Sequence, residues 1–189
     1  MDMVSETTVV AHHEAARTQA GASLGAAGKT RPIAQAGEFL TFRLGAEEYG
    51  IDILRVQEIR SYEPPTRIAN APPFVKGVVN LRGVIVPIID LRLKFACASA
   101  EHDALTVVIV LSVQGRVIGV VVDSVSDVIE LATAQIKSAP DMASVAQSHV
   151  TGIGSVKSGL NPDDAERMLI LLDIEALMSG ADMGLALQA

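Results

Sequence analysis

An internal repeat is the feature that most constrains the fold of this 189-residue chain. The segment GIDILRVQEI begins at Gly50, and it aligns with GVVVDSVSDV, which begins at Gly119, at a constant offset of 69 residues. Further along, VPIIDL at 86–91 resembles LILLDI at 169–174, and in each case an aspartate closes an apolar run. A unit of this length that occurs only twice is too long for a solenoid, so it predicts two similar small barrels that share one core.

Short apolar runs of β type, separated by turn residues, support this prediction. We predict strands at 39–44, 49–53, 56–60, 78–81, 84–89, 106–113, 116–123, 125–131 and 167–172. So many short strands indicate a barrel or a sandwich. Asp90 and Asp173 are predicted to cap short helices at 92–95 and 175–179. The segment 152–167, which is rich in Gly, Pro and Asp, is predicted to be a surface loop.

The stretch FVKGVVNLRGVIVPIIDL, at 74–91, is almost continuously apolar around one Arg-Gly pair. Gly83 is suited to the positive φ of a tight turn between two strands, and Arg82 must point outward or meet a carboxylate. Pro87 cannot donate to a sheet ladder, which predicts an edge or a bulge in the second strand. An exposed arginine beside a sheet edge suggests a docking surface.

Composition narrows the class of partner. The formal net charge is −7 with no tract of Lys or Arg, which argues against nucleic acid and anionic membranes as partners. No uncharged apolar stretch reaches the roughly 20 residues of a membrane span, so we expect no direct membrane insertion. A single cysteine and no secretory signal predict a cytoplasmic protein. We interpret 1–37 as a disordered leader and 181–189 as a flexible tail, and proteins are the expected partners.

The sequence shows no grouping of histidine, cysteine and acidic residues that is typical of a catalytic or metal site. Two of the histidines, His12 and His13, belong to the leader, while His102 and His149 are isolated in loop-like sequence. Cys97 has no neighbouring base, and the Asp163-Asp164 pair lacks the ligand spacing of a calcium loop. We therefore predict no catalytic residue, no metal site and no cofactor.

Charged residues within apolar surroundings remain as candidates for recognition. Glu58 is two residues from Val56, and strand periodicity predicts that the two side chains share a face. Asp127 repeats Glu58 in the second half. We predict that Glu58 and Arg82 approach each other, although two unrelated solvated charges would produce the same pattern.

The segment 38–95 resembles the CheW family of bacterial chemotaxis coupling proteins. The motifs YGIDI, VQEIR and KGVVNLRG followed by VPIIDL carry the resemblance, which extends to about residue 180. It implies a mainly β fold of two five-stranded SH3-like β-barrels, packed on a shared core with short helices, in a domain of two intertwined barrels at 38–180. It also implies a non-enzymatic adaptor in two-component signal transduction. Its partners would be the cytoplasmic tips of methyl-accepting chemotaxis proteins and the regulatory domain of the histidine kinase CheA, in membrane-associated receptor arrays.

The resemblance also implies a set of site residues. Positions that matter for receptor or kinase coupling in the family are matched here by Val56, Glu58, Lys76, Gly77, Arg82, Gly83, Val107, Gly119, Val125 and Val128. Val56 and Val125 would form the floor of a groove for a helical hairpin. Gly77 and Gly83 would allow close approach of a partner's backbone.

Two alternatives stay open. Within the same fold, the chain could couple another chemosensory pathway, such as one governing twitching motility. In a different class, it could be a small-barrel ligand or oligonucleotide binder, although six aromatic residues, none of them Trp, argue against base stacking. One departure from the family is a loop at 157–166 that looks longer than usual.

Overall fold

The computed structural model describes residues 34–139, 149–157 and 165–179. Two short helices are present in these ranges, α1 (Leu91–Lys94) and α2 (Ile174–Met178), with 3₁₀ turns at Ile53–Arg55 and Thr133–Gln135. The strands are β1 (Gly37–Leu44), β2 (Glu47–Asp52), β3 (Val56–Ser61), β4 (Val75–Leu81), β5 (Val84–Asp90), β6 (Val107–Val113), β7 (Arg116–Val122), β8 (Ser124–Leu131), β9 (Ile136–Lys137), β10 (Val150–Lys157) and β11 (Glu166–Leu172).

The mainly β prediction is confirmed, and each of the nine predicted strands is present with its ends moved by a few residues. The predicted loop at 152–167 is wrong in its first part, because β10 runs through it to Lys157. Gly154 lies in that strand because a Cβ there would come within 2.8 Å of the Leu131 side chain. Glycine here permits close packing rather than a turn. Residues 158–164, with the Asp163-Asp164 pair, lie outside the described residues.

The described strands form two sheets, one of five strands and one of six. One sheet has the order β3-β6-β7-β5-β4, and the other has the order β8-β1-β2-β11-β10-β9. The sixth strand of the second sheet is β9, which spans two residues. Each sheet therefore takes strands from both halves of the chain: β6 and β7 join β3–β5, while β1 and β2 join β8–β11.

Strand pairing agrees with the predicted duplication. In the five-stranded sheet β5 pairs in parallel with β7 and places Ile88 opposite Gly119. In the six-stranded sheet β11 pairs in parallel with β2 and places Leu171 opposite Gly50. Gly50 and Gly119 are the two glycines that the sequence repeat aligns, so the repeat reflects an approximate twofold relation between the sheets.

Apolar side chains form three clusters that explain how the sheets pack. Val86, Val108 and Val121 belong to a cluster of the five-stranded sheet alone, and Phe39 and Leu169 belong to one of the six-stranded sheet alone. The third and largest cluster draws on both sheets. Its fully buried members include Phe42, Leu44, Ile51, Ile89, Leu91, Ile109, Leu111, Val120 and Val122. Full burial of such a side chain contributes about 1.5–3 kcal/mol, so the predicted shared core dominates the packing.

Aspartates begin both helices, as predicted. The Asp90 carboxylate accepts a hydrogen bond from the Arg92 amide, and the Asp173 carboxylate accepts one from the Ala176 amide. Pro87 lies in β5, which has a strand on each side. The ladder between β5 and β7 covers only Ile88–Asp90, so it does not require the N–H that Pro87 lacks. Among the described residues, no helix is long and apolar enough to cross a membrane.

Candidate protein-docking surface

The predicted approach of Glu58 and Arg82 is confirmed. Arg82 Nη2 lies 3.2 Å from Glu58 Oε2, and Arg60 Nη1 lies 3.7 Å from the other carboxylate oxygen. The Arg82 side chain is 83% exposed and that of Glu58 is 28% exposed. An exposed ion pair contributes about 0–1 kcal/mol to stability. Its main effect is therefore to orient two charges on the surface rather than to hold the fold together.

The turn between β4 and β5 explains why the arginine projects. Arg82 and Gly83 have φ values of 52° and 89°, the left-handed pair that suits a two-residue hairpin loop between Leu81 and Val84. The Asn80 carboxamide accepts a hydrogen bond from the Gly83 amide at 2.8 Å. A non-glycine residue in this region is uncommon, so the hairpin fixes Arg82 in position at a conformational cost.

The prediction that Val56 and Glu58 share a face is wrong. Val56 pairs with Leu111, but Glu58 pairs with Val110, because a bulge at Gln57 inserts one extra residue into β3. Neighbouring residues of β6 point to opposite faces, so the bulge sends Val56 and Glu58 to opposite sides of the sheet. Val56 packs on the shared core, which leaves Glu58 free to reach Arg82.

Glycines of the predicted site differ in what surrounds them. A Cβ on Gly77 would lie 2.1 Å from the Thr66 carbonyl oxygen, and its φ of 142° disfavours any side chain. Gly119 is buried, and a Cβ there would lie 2.5 Å from Ile88 Cδ1. Both glycines thus pack against their own chain. A Cβ on Gly83 would meet nothing within 4 Å, so this position is open to an approaching partner.

The remaining site residues lie on both sheets. Lys76 is half-buried at a bulge in β4, and Val107 is half-buried at the far end of β6, opposite Ser61 of β3. Val125 and Val128 belong instead to β8 of the six-stranded sheet. The structure therefore brings Glu58 and Arg82 into contact and places Val125 and Val128 on the other sheet.

Val56 and Val125 occupy equivalent places, as the repeat predicts. Each is half-buried against the shared core at the start of a bulge, opposite Leu111 and Phe42 respectively. Val128 lies three residues beyond Val125 and is 45% exposed. Two apolar positions related by the repeat thus border the junction between the sheets.

Sequence reasoning missed several large apolar side chains on the surface. Leu54 in the first 3₁₀ turn is 85% exposed, and Ile85 after the β4–β5 turn is 62% exposed. Val84 beside it is 51% exposed. In the sequence these residues continue apolar runs, so only their place at the ends of elements distinguishes them from core residues.

Burial shifts the pKa values of two titratable side chains, Cys97 and His102. Burial raises the pKa of the Cys97 thiol, which favours the inert protonated form. His102 stacks on Tyr62 with ring centroids 4.0 Å apart, and burial lowers its pKa. No three His, Cys, Asp or Glu residues within the described ranges are grouped as metal ligands would be. His12 and His13 lie outside those ranges.

Arg92 is the second feature that sequence reasoning missed. Its side chain is 0% exposed, and its Nη2 lies 2.8 Å from Asp90 Oδ2. Hydrogen bonds to Asp90 raise the pKa of Arg92 further above its usual value, so the charge is permanent. An arginine two residues after a capping aspartate is the only signal in the sequence, because its other partners are distant along the chain.

Comparisons with known proteins agree with this architecture. The family model of the CheW-like domain matches residues 38–182. The chain is 58% identical over 149 residues to chemotaxis protein CheW of Klebsiella aerogenes, covering 78% of this chain and 85% of that protein. It is 34% identical over 141 residues to chemotaxis protein CheW of Rhizobium meliloti, covering 74% and 86% of the two chains.

A solved structure also matches. The crystal structure of scaffolding protein TtCheW from Thermoanaerobacter tengcongensis superimposes with a TM-score of 0.67 at 28% identity, covering 78% of this chain and 96% of that one. The family model covers the two-sheet region that carries Glu58 and Arg82. The chain therefore belongs to the CheW family of chemotaxis scaffolding proteins.

Proposed function

We propose that this protein is a non-enzymatic adaptor that couples chemoreceptor tips to the histidine kinase CheA. Membership of the CheW family, at 58% identity to a chemotaxis protein, is the observation that carries the proposal. The cytoplasmic tips of methyl-accepting chemotaxis proteins and the regulatory domain of CheA are its two partners. The protein works in the cytoplasm, where receptor arrays at the membrane recruit it, and residues 38–180 form the functional domain.

The distribution of candidate residues supports binding to two partners. Glu58 and Arg82 present a charge pair on the five-stranded sheet, while Val125 and Val128 lie on the six-stranded sheet. An adaptor needs separate surfaces because both partners must bind at once. A helical receptor tip fits an apolar surface bordered by a few oriented charges, and the exposed side chains of Val84 and Ile85 directly follow the Arg82-Gly83 turn.

Gly77 and Gly119 have a different role in this proposal. Each packs against its own chain, so a substitution there alters the surface by displacing Thr66 or Ile88 rather than by touching a partner. Arg82 and Gly83 are the positions of direct contact, since one side chain is exposed and the other position is open. Direct contact and framework effects are separable by measuring stability alongside binding.

Reconstitution with purified components tests the proposal. CheA autophosphorylation is measured with a soluble receptor-tip fragment, in the presence and absence of this protein. We expect stimulation that requires both the fragment and the protein. Arg82→Glu should remove the stimulation while the circular dichroism spectrum stays that of the wild type.

Other outcomes discriminate among the alternatives. Binding to CheA without stimulation by the chemotaxis receptor would indicate a coupling protein of another chemosensory pathway. Absence of binding to both partners would contradict the adaptor proposal and favour a small-barrel ligand binder. Loss of folding in Arg82→Glu would assign Arg82 to the framework instead of the contact surface.

A further inference from the structure

The buried guanidinium of Arg92 joins three separate segments of the chain. Its Nε donates to Asp90 Oδ1 at 3.0 Å and its Nη2 to Asp90 Oδ2 at 2.8 Å, which makes a bidentate pair at the end of β5. Its Nη1 donates to Asp123 Oδ1 at 3.1 Å and to the carbonyl oxygen of Glu101 in the loop before β6. Charge-assisted bonds of this kind have strict geometry, so the three segments are held in one arrangement.

Asp123 lies at the point where the chain leaves one sheet for the other. It connects β7 of the five-stranded sheet to β8 of the six-stranded sheet. Its Oδ2 accepts a hydrogen bond from the Gly45 amide at 2.7 Å, and its own amide donates to the Arg43 carbonyl at 3.1 Å. Arg92 is thus linked through Asp123 to the β1–β2 turn, which gives a polar connection from one sheet to the other.

The other crossing between the sheets is built differently. There the 3₁₀ turn Ile53–Arg55 connects β2 to β3, and Glu175 of α2 takes the place that Arg92 has in α1, two residues after the capping aspartate. Arg55 Nη1 lies 2.7 Å from Glu175 Oε1, with the two side chains 44% and 32% exposed. The positions of the two charges are reversed and both side chains are partly exposed to solvent, so this ion pair contributes little to holding the crossing.

The shared core alone does not specify the angle between the sheets. Apolar contact resists separation but is not directional. Arg92 is 0% exposed, and although Asp123 is 33% exposed, a buried guanidinium that loses a partner is costly, so Arg92 holds its ion pairs in one geometry. We propose that Arg92 is a positioning residue that fixes the mutual orientation of the two sheets. The second part of this inference rests on the proposed function. It is that the fixed orientation allows the receptor and the kinase to bind to this protein at the same time.

Spin-label distances test the first part without any partner. One label is placed at Ser61→Cys on β3 and one at Glu130→Cys on β8, both exposed, in a Cys97→Ala background. In Arg92→Lys and Asp123→Asn we expect the distance distribution to be at least twofold broader than in the parent. Arg55→Gln, at the exposed crossing, is the matched control and should leave the width unchanged. If Arg92→Lys does not fold, the width of the distance distribution in Asp123→Asn provides the test.

Distributions as narrow as the parent's in a folded variant would overturn the inference. So would equal broadening in Arg55→Gln, because the effect would then not be specific to the network around Arg92. Either result leaves the adaptor proposal untouched.

The second part is tested with the receptor fragment and CheA. We expect Arg92→Lys to bind each partner alone with an affinity within about twofold of the wild type, and kinase stimulation in the three-component mixture to fall at least fivefold. Equal loss of both single affinities would show a purely structural role and overturn the positioning role. Full stimulation by the folded variant would overturn it as well. Failure of the wild-type protein to stimulate would instead count against the proposed function alone.

Discussion

At the bulge of β3, the Glu58 side chain pairs with the exposed Arg82 of the β4–β5 turn, whereas at the equivalent bulge of β8, the Asp127 backbone bonds to Thr41 of the neighbouring strand β1. There the Asp127 amide donates to the Thr41 hydroxyl at 3.1 Å, and that hydroxyl donates to the Asp127 carbonyl at 3.0 Å. Val110 takes the place of Thr41 in the first half. The two halves therefore share the same bulged backbone but differ in their polar contacts. The first half has a surface ion pair between Glu58 and Arg82, and the second has internal hydrogen bonds between Thr41 and Asp127.

From this difference we propose that recognition is concentrated at the first bulge. A threonine hydroxyl that satisfies the backbone of the second bulge stabilises a shape, and it offers little to a partner. An oriented ion pair on the first bulge contributes little to folding and remains available for binding. Substitutions at matched positions of the two halves should accordingly divide into effects on stability and effects on coupling.

The largest contrast is expected at the glycines of the bulges in β4 and β10. Gly77→Ala should destabilise the fold by more than about 3 kcal/mol, because the new Cβ meets the Thr66 carbonyl oxygen at a φ of 142°. Gly152→Ala should cost about 1–3 kcal/mol, since its Cβ would lie 2.9 Å from the Lys137 carbonyl oxygen without a left-handed φ. Urea unfolding of both variants measures the difference, and equal losses would contradict it.

A smaller contrast is expected at the glycines that the repeat aligns. Gly119→Ala should cost about 1–3 kcal/mol, because Ile88 Cδ1 and Val108 Cγ1 would lie 2.5 and 2.9 Å from the new Cβ and must move. Gly50→Ala should stay within about 1 kcal/mol of the wild type, as its nearest neighbour, Leu171 Cδ2, lies at 3.0 Å. Thermal unfolding compares the two, and a greater loss in Gly50→Ala would break the packing account.

Thr41 and Val110 lie opposite the two bulges, and exchanging their residue types should destabilise the fold in both cases. Thr41→Val leaves the Asp127 backbone groups without their partner and should cost about 1–2 kcal/mol. Val110→Thr buries a hydroxyl in the apolar cluster of the five-stranded sheet and should cost about 1–3 kcal/mol. Chemical unfolding is the measurement. An unchanged free energy of unfolding in Thr41→Val would show that the second bulge does not depend on the hydrogen bonds of this hydroxyl.

The smallest effect concerns pH. Burial lowers the pKa of His102 below its usual 6.5, so the folded state disfavours the proton that the unfolded state accepts. The stabilising contribution is present above pH 6.5 and is lost as the pH falls through the lowered value. His102→Phe, which retains an aromatic ring against Tyr62, should lose less stability between pH 7 and pH 5 than the wild type. Identical losses in urea titrations at the two pH values would contradict this.

Much of the fold could be predicted from local patterns. Apolar runs located nine strands, the Arg-Gly pair located a left-handed turn, and the aspartates at 90 and 173 marked two helix starts. The approach of Glu58 and Arg82 could be predicted because both charges interrupt apolar stretches and each needs a partner or solvent. These features depend on neighbours in sequence or on a simple period.

The features that sequence reasoning missed depend on distant contacts. Counting alternate residues cannot detect the extra residue at Gln57 and therefore places Val56 and Glu58 on one face. In the sequence, Gly152 and Gly154 are typical of a loop. Only the structure shows that a Cβ at either would meet another strand, Lys137 for Gly152 and Leu131 for Gly154. The sequence resemblance predicts an open surface position at Gly77, although Thr66 covers it. Arg92 bonds to segments up to 31 residues away, which no local pattern reveals.

The charge pair provides the most direct test of the claim that coupling is concentrated at the first bulge. Glu58→Arg, Arg82→Glu and the double exchange are compared for CheA stimulation in the presence of the receptor-tip fragment. We predict that each single reversal abolishes stimulation, that the double exchange restores a substantial part of it, and that all three fold with stability changes below about 1 kcal/mol. Full stimulation by both single variants, with folding intact, would contradict the account.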